Sequence, residues 1–372
     1  MQKMNDAIKR EIFKELCQHR DELATNISLV QRIINERLEY IPRKKLYKFR
    51  SCSINNFKTL EENCIWMAPA NSFNDLFDNT INIDLVQNKR EIKSWLFNNF
   101  PVFCFDLAKN LCESIGNDIP YTHDDFIEYV NTCLDKNGKP ILEKERKFIE
   151  SRVKFDNLNQ MEEIFALLKS FRDKFAETED QMVETISNAI NDTRTHMRDA
   201  TLVYCMTERY DNPTLWETYA NNYSGFCVEY YFGNFEEKEF DDYKNLAFLF
   251  PISYRKKKPY FDMVPFMDNT CRRTIYKEKN YERDLDLDVE LNMQLHYKLK
   301  DYEFEHEWRF SINNKANNKQ PFPFVSAIYA GKDMKPGNFR RLCSIAKKLG
   351  VPVYKQIPNK SNNGFEYIQI LF

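Results

Sequence analysis

KLKDYEFEHEWRFSI, residues 298–312, alternates charged and aromatic side chains over most of its length. Read as a strand over 303–312, a period of two sets Glu303, Glu305, Glu307 and Arg309 on one face and Phe304, His306, Trp308 and Phe310 on the other. Successive carboxylates on one strand face repel one another unless Lys298, Lys48, Arg50 or Arg309 neutralises them. Two readings stay open. The charged face is a solvated exterior over an aromatic core, or it lines a cleft where one carboxylate titrates high or binds a ligand hydroxyl.

Around this stretch lie further strand patterns: Leu46–Arg50, Cys64–Ala68, Thr201–Met206, Gly225–Tyr231, 324–330, 351–356 and 365–371. Helical spacing of apolar residues covers 4–40, Ser53–Asn63, a short segment through Trp216, a charged stretch at 262–300 and 337–349, the last ending at Gly350. Between them, residues 85–198 read almost wholly as helix, with Ile164, Phe165, Leu168 and Phe171 on one side of Met161–Phe175. The expected fold is α+β, a mixed sheet core with strands from both ends of the chain. The parts are an N-terminal helical segment (1–42), a first piece of the core (43–84), a helical insertion (85–198) and the rest of the core (199–372).

Only 8 glycines occur in 372 residues, against about 26 at average usage. Neither GxGxxG nor GxxxxGK[ST] is present, which removes the usual Rossmann and P-loop warrants. The formal charge of −2 gives no global basic field, so nucleic acid is not indicated as a partner by charge, although it stays open as an acceptor. No apolar run reaches the ~18 residues a membrane span needs. The 10 cysteines never form CxxC and read as reduced thiols of a cytoplasmic protein. His296 and His306 lack partners at ligand spacing, so no metal is expected.

Two other stretches offer chemistry. LYKFRS (46–51) puts Lys48 and Arg50 on one strand face and Tyr47 and Phe49 on the other, and Asn71, Asn74, Asp75 and Asp78 follow Pro69 among phenylalanines. The Asx cluster reads as a structural turn or as a loop fixing a ligand hydroxyl or amide. In MTERYDNPTLWETYANNYSGFCVEY (206–230), Trp216, Tyr219, Ala220 and Tyr223 form a helical stripe, either core or a platform for a planar ligand, and Gly225 reads as the residue that ends the helix.

The blocks LYKFR, SFNDLFD, LWETYANNYSGFCVEY, YEFEHEWRF and AIYAGK (327–332), in this order over about 46–370, resemble the bacterial domain-of-unknown-function family 2971. The chain departs from that pattern at Leu76, Tyr223 and Tyr302, where proline, histidine and tryptophan are usual. The layout also resembles, more remotely, the ADP-ribosyltransferase superfamily. That resemblance implies a split sheet that holds NAD as substrate without a glycine-rich loop, and no metal. It implies Glu307 as first and Glu305 as second catalytic carboxylate, with Arg309 pairing a glutamate. Lys48 or Arg50 then anchors the pyrophosphate and Tyr47 or Trp216 stacks on nicotinamide, with Asn74, Asp75, Tyr219 and Lys298 completing the site. Family context implies a defence or toxin effector. The rival classes are a non-enzymatic module, in which Glu305–Arg309 and Asp75–Arg50 are buried structural ion pairs, and a nuclease using Mg²⁺ on Asp75, Asp78 and Glu305.

Overall fold

The computed structural model describes residues 4–23, 25–73, 78–114, 123–233, 244–265, 267–268, 284–313, 317–359 and 364–371. The chain divides into two compact units, one of residues 1–82, 194–261 and 279–372, the other of residues 83–193 and 262–278. In the first unit, short helices begin where a polar side chain can take an orphan backbone N–H. Asn5 caps α1 (Asp6–Gln18), Asn26 caps α2 (Ile27–Leu38) and Ser53 caps α3 (Ile54–Glu61). The single helix expected over 4–40 is therefore two, the second restarting at its own cap.

The second unit holds α4 (Leu85–Ser114), α5 (His123–Cys133), α6 (Leu142–Glu150) and most of α7 (Leu158–Asp199). Its core joins Phe100, Cys104, Tyr129, Phe148, Ile164 and Leu168. Inside it, Glu145 is fully buried, paired with Arg172 and accepting from the Tyr129 hydroxyl.

The first unit is built on a mixed sheet. Its strands are β1 (Lys45–Arg50), β3 (Ala68–Pro69), β4 (Thr201–Thr207), β5 (Phe226–Tyr231), β6 (Leu249–Pro251), β9 (Glu307–Asn313), β11 (Val325–Ala330), β12 (Val353–Asn359) and β13 (Gly364–Ile370). The order is β13-β12-β11-β5-β1-β4-β9-β6, with β3 also on β4. β2 (Cys64–Trp66) pairs β10 (Lys319–Pro321), and β7 (Ser253–Arg255) pairs β8 (Tyr297–Leu299), outside this sheet. One sheet face meets the large aliphatic core containing Leu46, Leu202, Val228, Trp308 and Phe310; another cluster gathers Tyr47, Phe49, Trp216, Cys227 and Tyr329. Both follow from period-two alternation along β1 and its neighbours.

The sheet has a weak seam. β1 pairs β5 along six residues, and β4 pairs β9 along seven, but β1 and β4 meet only at Tyr47 and Thr207. On β4, β3 pairs at Leu202 and Val203, so the ladder stands open between there and Thr207.

Two expectations are corrected here. The stretch 303–312 is not one strand: Lys300–Glu305 form a 3₁₀ helix, His306 takes a left-handed backbone (φ 42°), and β9 starts at Glu307. Glu303 is exposed outside the charged face. Of the charged helix expected over 262–300, the described residues show helical backbone at 264–265 and 267–268 and, separately, α9 (Leu285–Gln294), capped by Asp284 and followed by β8. The last helix, α10 (Pro336–Leu349), ends at Gly350 with φ 70°.

Candidate functional site

At the open seam lies a cavity of about 440 Å³. One wall comes from β1, with Tyr47, Lys48 and Phe49, and the other from β4, with Cys205, Met206 and Thr207. Ser72, Phe73, Leu215, Tyr219 and Tyr302 contribute to the rim, and Asp78, Lys298, Glu305 and Glu307 supply the charge. The ammonium of Lys48 lies in the gap. It donates to the Cys205 carbonyl at 2.7 Å and sits 5.0 Å from the Tyr204 ring centroid. A carbonyl that the parted ladder leaves open is satisfied there by a side chain.

The charged groups form one chain of contacts. Lys298 Nζ reaches Glu305 Oε2 at 2.6 Å, Glu307 Oε2 at 3.0 Å and Asp78 Oδ2 at 3.6 Å. Arg309, wholly buried, donates from Nε to Glu307 Oε1 at 2.9 Å and from Nη2 to both Asp78 oxygens at 3.0 and 3.2 Å. Its Nη1 donates to the Leu295 carbonyl at 3.1 Å. The Tyr219 hydroxyl donates to Glu305 Oε1 at 2.9 Å. Backbone bonds fix both glutamates, since Thr207 Oγ1 donates to the Glu305 carbonyl at 2.6 Å and the Glu307 amide donates to the Tyr254 hydroxyl at 2.8 Å.

Three carboxylates thus share two cations, and they divide the deficit unequally. Burial disfavours the Glu307 charge, but Arg309 and then Lys298 outweigh it and hold that carboxyl down to about 2. At Glu305 burial prevails: together with the Glu307 charge it pushes the carboxyl above its ordinary value, although Lys298 pulls the other way. Burial opposes the charges of Lys298 and Arg309 too, and the carboxylates around them hold both cations above their ordinary values. Of the two glutamates, Glu305 is the one that takes up a proton more readily, and its protonation leaves the cluster neutral. Burial, then Glu307, lifts the Cys205 thiol to about 12, so it is no nucleophile at neutral pH.

The turn at His306, not strand alternation, brings Glu305 beside Glu307. Of the residues singled out in the sequence, the cavity collects Tyr47, Lys48, Tyr219, Lys298, Glu305 and Glu307, with Arg309 behind them. Asn74 and Asp75 lie outside the described residues. Arg50 is not among the lining residues; it donates to Asn56 Oδ1 at 2.9 Å and to the Tyr204 hydroxyl at 2.8 Å.

Trp216 is fully buried, its indole N–H on the Tyr210 carbonyl at 2.8 Å and its ring against Phe49 and Tyr223. It belongs to the core. Ala220 and Tyr223 of the expected stripe share its buried cluster, but not as one helix face: α8 (Pro213–Thr218) stops early, Asn221, Asn222 and Tyr223 are left-handed, and Tyr219 is 49% exposed. The proposed Glu305–Arg309 pair is replaced by Glu307–Arg309–Asp78. Among the described residues, no group of His, Cys, Asp or Glu is arranged to hold a metal ion, and both Asp78 oxygens are taken by Arg309.

The contribution of Asp78 as the arginine's partner, and of Thr207 and Tyr254 as backbone anchors, went unread in the sequence. For Asp78 the signal was its place in the SFNDLFD block; Thr207 and Tyr254 gave none.

Residues 215–310 match the family described as "Protein of unknown function (DUF2971)". That stretch takes in Tyr219, Lys298, Glu305, Glu307 and Arg309, and leaves out β1 and Asp78. No curated protein and no solved structure matches the chain significantly.

Proposed function

We propose that the seam cavity is the active site of an enzyme that cleaves the bond between nicotinamide and ribose in NAD, passing the ADP-ribosyl group to water or another acceptor. The observation that carries this reading is the parting of β1 from β4 around a cavity with a protonatable carboxylate, Glu305, on its wall. A parted sheet offers a nucleotide side chains from both halves, which a chain with 8 glycines needs in place of a phosphate-cradling loop.

In the reaction, the C1′–N bond breaks and its electron pair stays on nicotinamide, a leaving group that needs no proton. The ribose acquires oxocarbenium character, which a carboxylate stabilises. The acceptor's lone pair then forms the new bond to C1′, and its proton passes to Glu305, whose raised pKa suits a general base. Glu307, with both oxygens on Lys298 and Arg309, holds the cluster and orients Lys298. Lys48 meets the pyrophosphate, and Tyr47, Phe73 or Tyr302 faces the nicotinamide ring.

The test is Glu305→Gln. The expected result is a folded protein with an unshifted melting temperature and NAD turnover reduced by at least about a hundredfold, the lower end for a general base. Unchanged turnover in the folded variant overturns the assignment.

The buried lattice also favours a purely structural role for the cluster. That reading requires Glu305→Gln to destabilise as strongly as Glu307→Gln, so unfolding both variants separates the two.

A further inference from the structure

A second cavity, of about 540 Å³, opens where the beginning of β1 meets β5, β11 and β12. It is lined by Glu229, which is 3% exposed. Glu229 Oε1 accepts from Ser326 Oγ at 2.8 Å and from Lys45 Nζ at 2.9 Å, and Oε2 accepts from the Tyr329 hydroxyl at 2.9 Å. The Tyr47 phenol bonds to the same carboxylate. With these donors, one of them cationic, the carboxylate has its charge matched and its lone-pair sites filled.

The spare capacity is at Arg43. Arg43 lines the cavity, the residue is exposed, and its side chain makes no hydrogen bond or ion pair among the described residues. Five N–H donors therefore stand ready for an anion. The turn that carries it is costly: Arg43 and Lys44 are both left-handed, with φ of 54° and 56°, each at roughly 1–2 kcal/mol for a residue with a Cβ. With Lys45 matched to Glu229, the cavity holds one positive charge in excess. Its walls are aromatic, formed by Tyr231, Tyr329 and Tyr354. Tyr354 stacks on Tyr329 at 5.1 Å and 18° and is itself only half-buried, so part of its ring stays open to a ligand.

We propose that this cavity binds a planar aromatic ring carrying a phosphate, the chemical class of a mononucleotide, with Arg43 on the phosphate and Tyr354 and Tyr231 against the ring. The site is distinct from the seam cavity and does not depend on the reaction assigned there. The two are neighbours through Glu229, because the tyrosine that bonds to it, Tyr47, also lines the seam.

Isothermal titration of the full chain with adenosine monophosphate, and separately with inorganic phosphate, tests this. The expected result is saturable nucleotide binding that Arg43→Ala weakens at least about tenfold, as loss of one charge-assisted contact does. Tyr354→Ala weakens the nucleotide and leaves inorganic phosphate unaffected, and Lys48→Met leaves this binding event unchanged. Absence of saturable nucleotide binding by the folded protein overturns the proposal. So does binding that survives Arg43→Ala or vanishes in Lys48→Met, which puts the nucleotide in the seam cavity; failure here leaves the Glu305→Gln result standing by itself.

Discussion

Glu305 and Glu307 differ by one intervening residue and by opposite electrostatic fates. Removing the charge of Glu307 leaves Arg309 with one partner fewer in a wholly buried place, and breaking such a pair costs about 3–5 kcal/mol. Glu307→Gln is expected to lower unfolding free energy by that amount in urea, with Glu305→Gln within about 1 kcal/mol of the parent. The pH response has a definite sign. Glu307, depressed to about 2 when folded, contributes stability that is complete above its free value near 4.5 and is lost as pH falls through about 2. Glu305, raised when folded, does the reverse: it protonates sooner in the folded chain, which favours the fold on first acidification. Urea unfolding is expected to show no loss between about pH 7 and about pH 5, then a steep loss below 4.5. Lys48→Met is expected to raise KM for NAD roughly tenfold with little change in kcat, as loss of a charge-assisted contact made equally in ground and transition states. The sequence made this group of side chains legible because its charges crowd one short stretch. It did not show which glutamate is shifted up and which down, because that depends on how deeply each is buried and on how Arg309 and Lys298 are shared between them in the fold.

Elements explain why the helical stripe at Trp216 broke. α8 is short, and the chain leaves it through three consecutive left-handed residues, Asn221, Asn222 and Tyr223. Asparagine tolerates this backbone better than most residues, so the NN pair was the available signal. Gly225 does not end the helix with a positive φ, as expected from its position; only Gly138 and Gly350 have positive φ among the described glycines. It is needed because backbones close in: a Cβ there would lie 2.2 Å from the Arg50 carbonyl oxygen and 2.7 Å from that of Ala220. Gly331 is similar, with the Tyr223 carbonyl oxygen 2.1 Å from where its Cβ would stand. Gly225→Ala is expected to cost more than about 2 kcal/mol, since rigid backbone must move, and chemical denaturation with far-UV circular dichroism measures it. Strand positions were legible through period-two alternation. The 3₁₀ turn at 300–305 was not, because its residues alternate as well as a strand does and only the left-handed His306 redirects them.

At the scale of the molecule, the mixed sheet and long helices followed from a change of period along the sequence, whereas the seam in the sheet had no periodic trace. Burial gives a direct optical check. Of the four tryptophans, Trp66 is 53% exposed, while Trp95, Trp216 and Trp308 are at most 8% exposed. Iodide is expected to quench only the Trp66 part of the intrinsic fluorescence, and Trp66→Phe is expected to abolish the quenchable fraction. The interleaving of the two units also has a consequence during synthesis. β1 lies at residues 45–50, but both strands that pair with it, β4 and β5, come after residue 200. At roughly 5–20 residues per second of elongation, β1 leaves the ribosome and waits about 8–30 s for a neighbour. Through that interval α4–α6 emerge and can begin to pack, so the nascent chain carries a folding helical unit beside a bare strand, the state in which a chaperone has most to do.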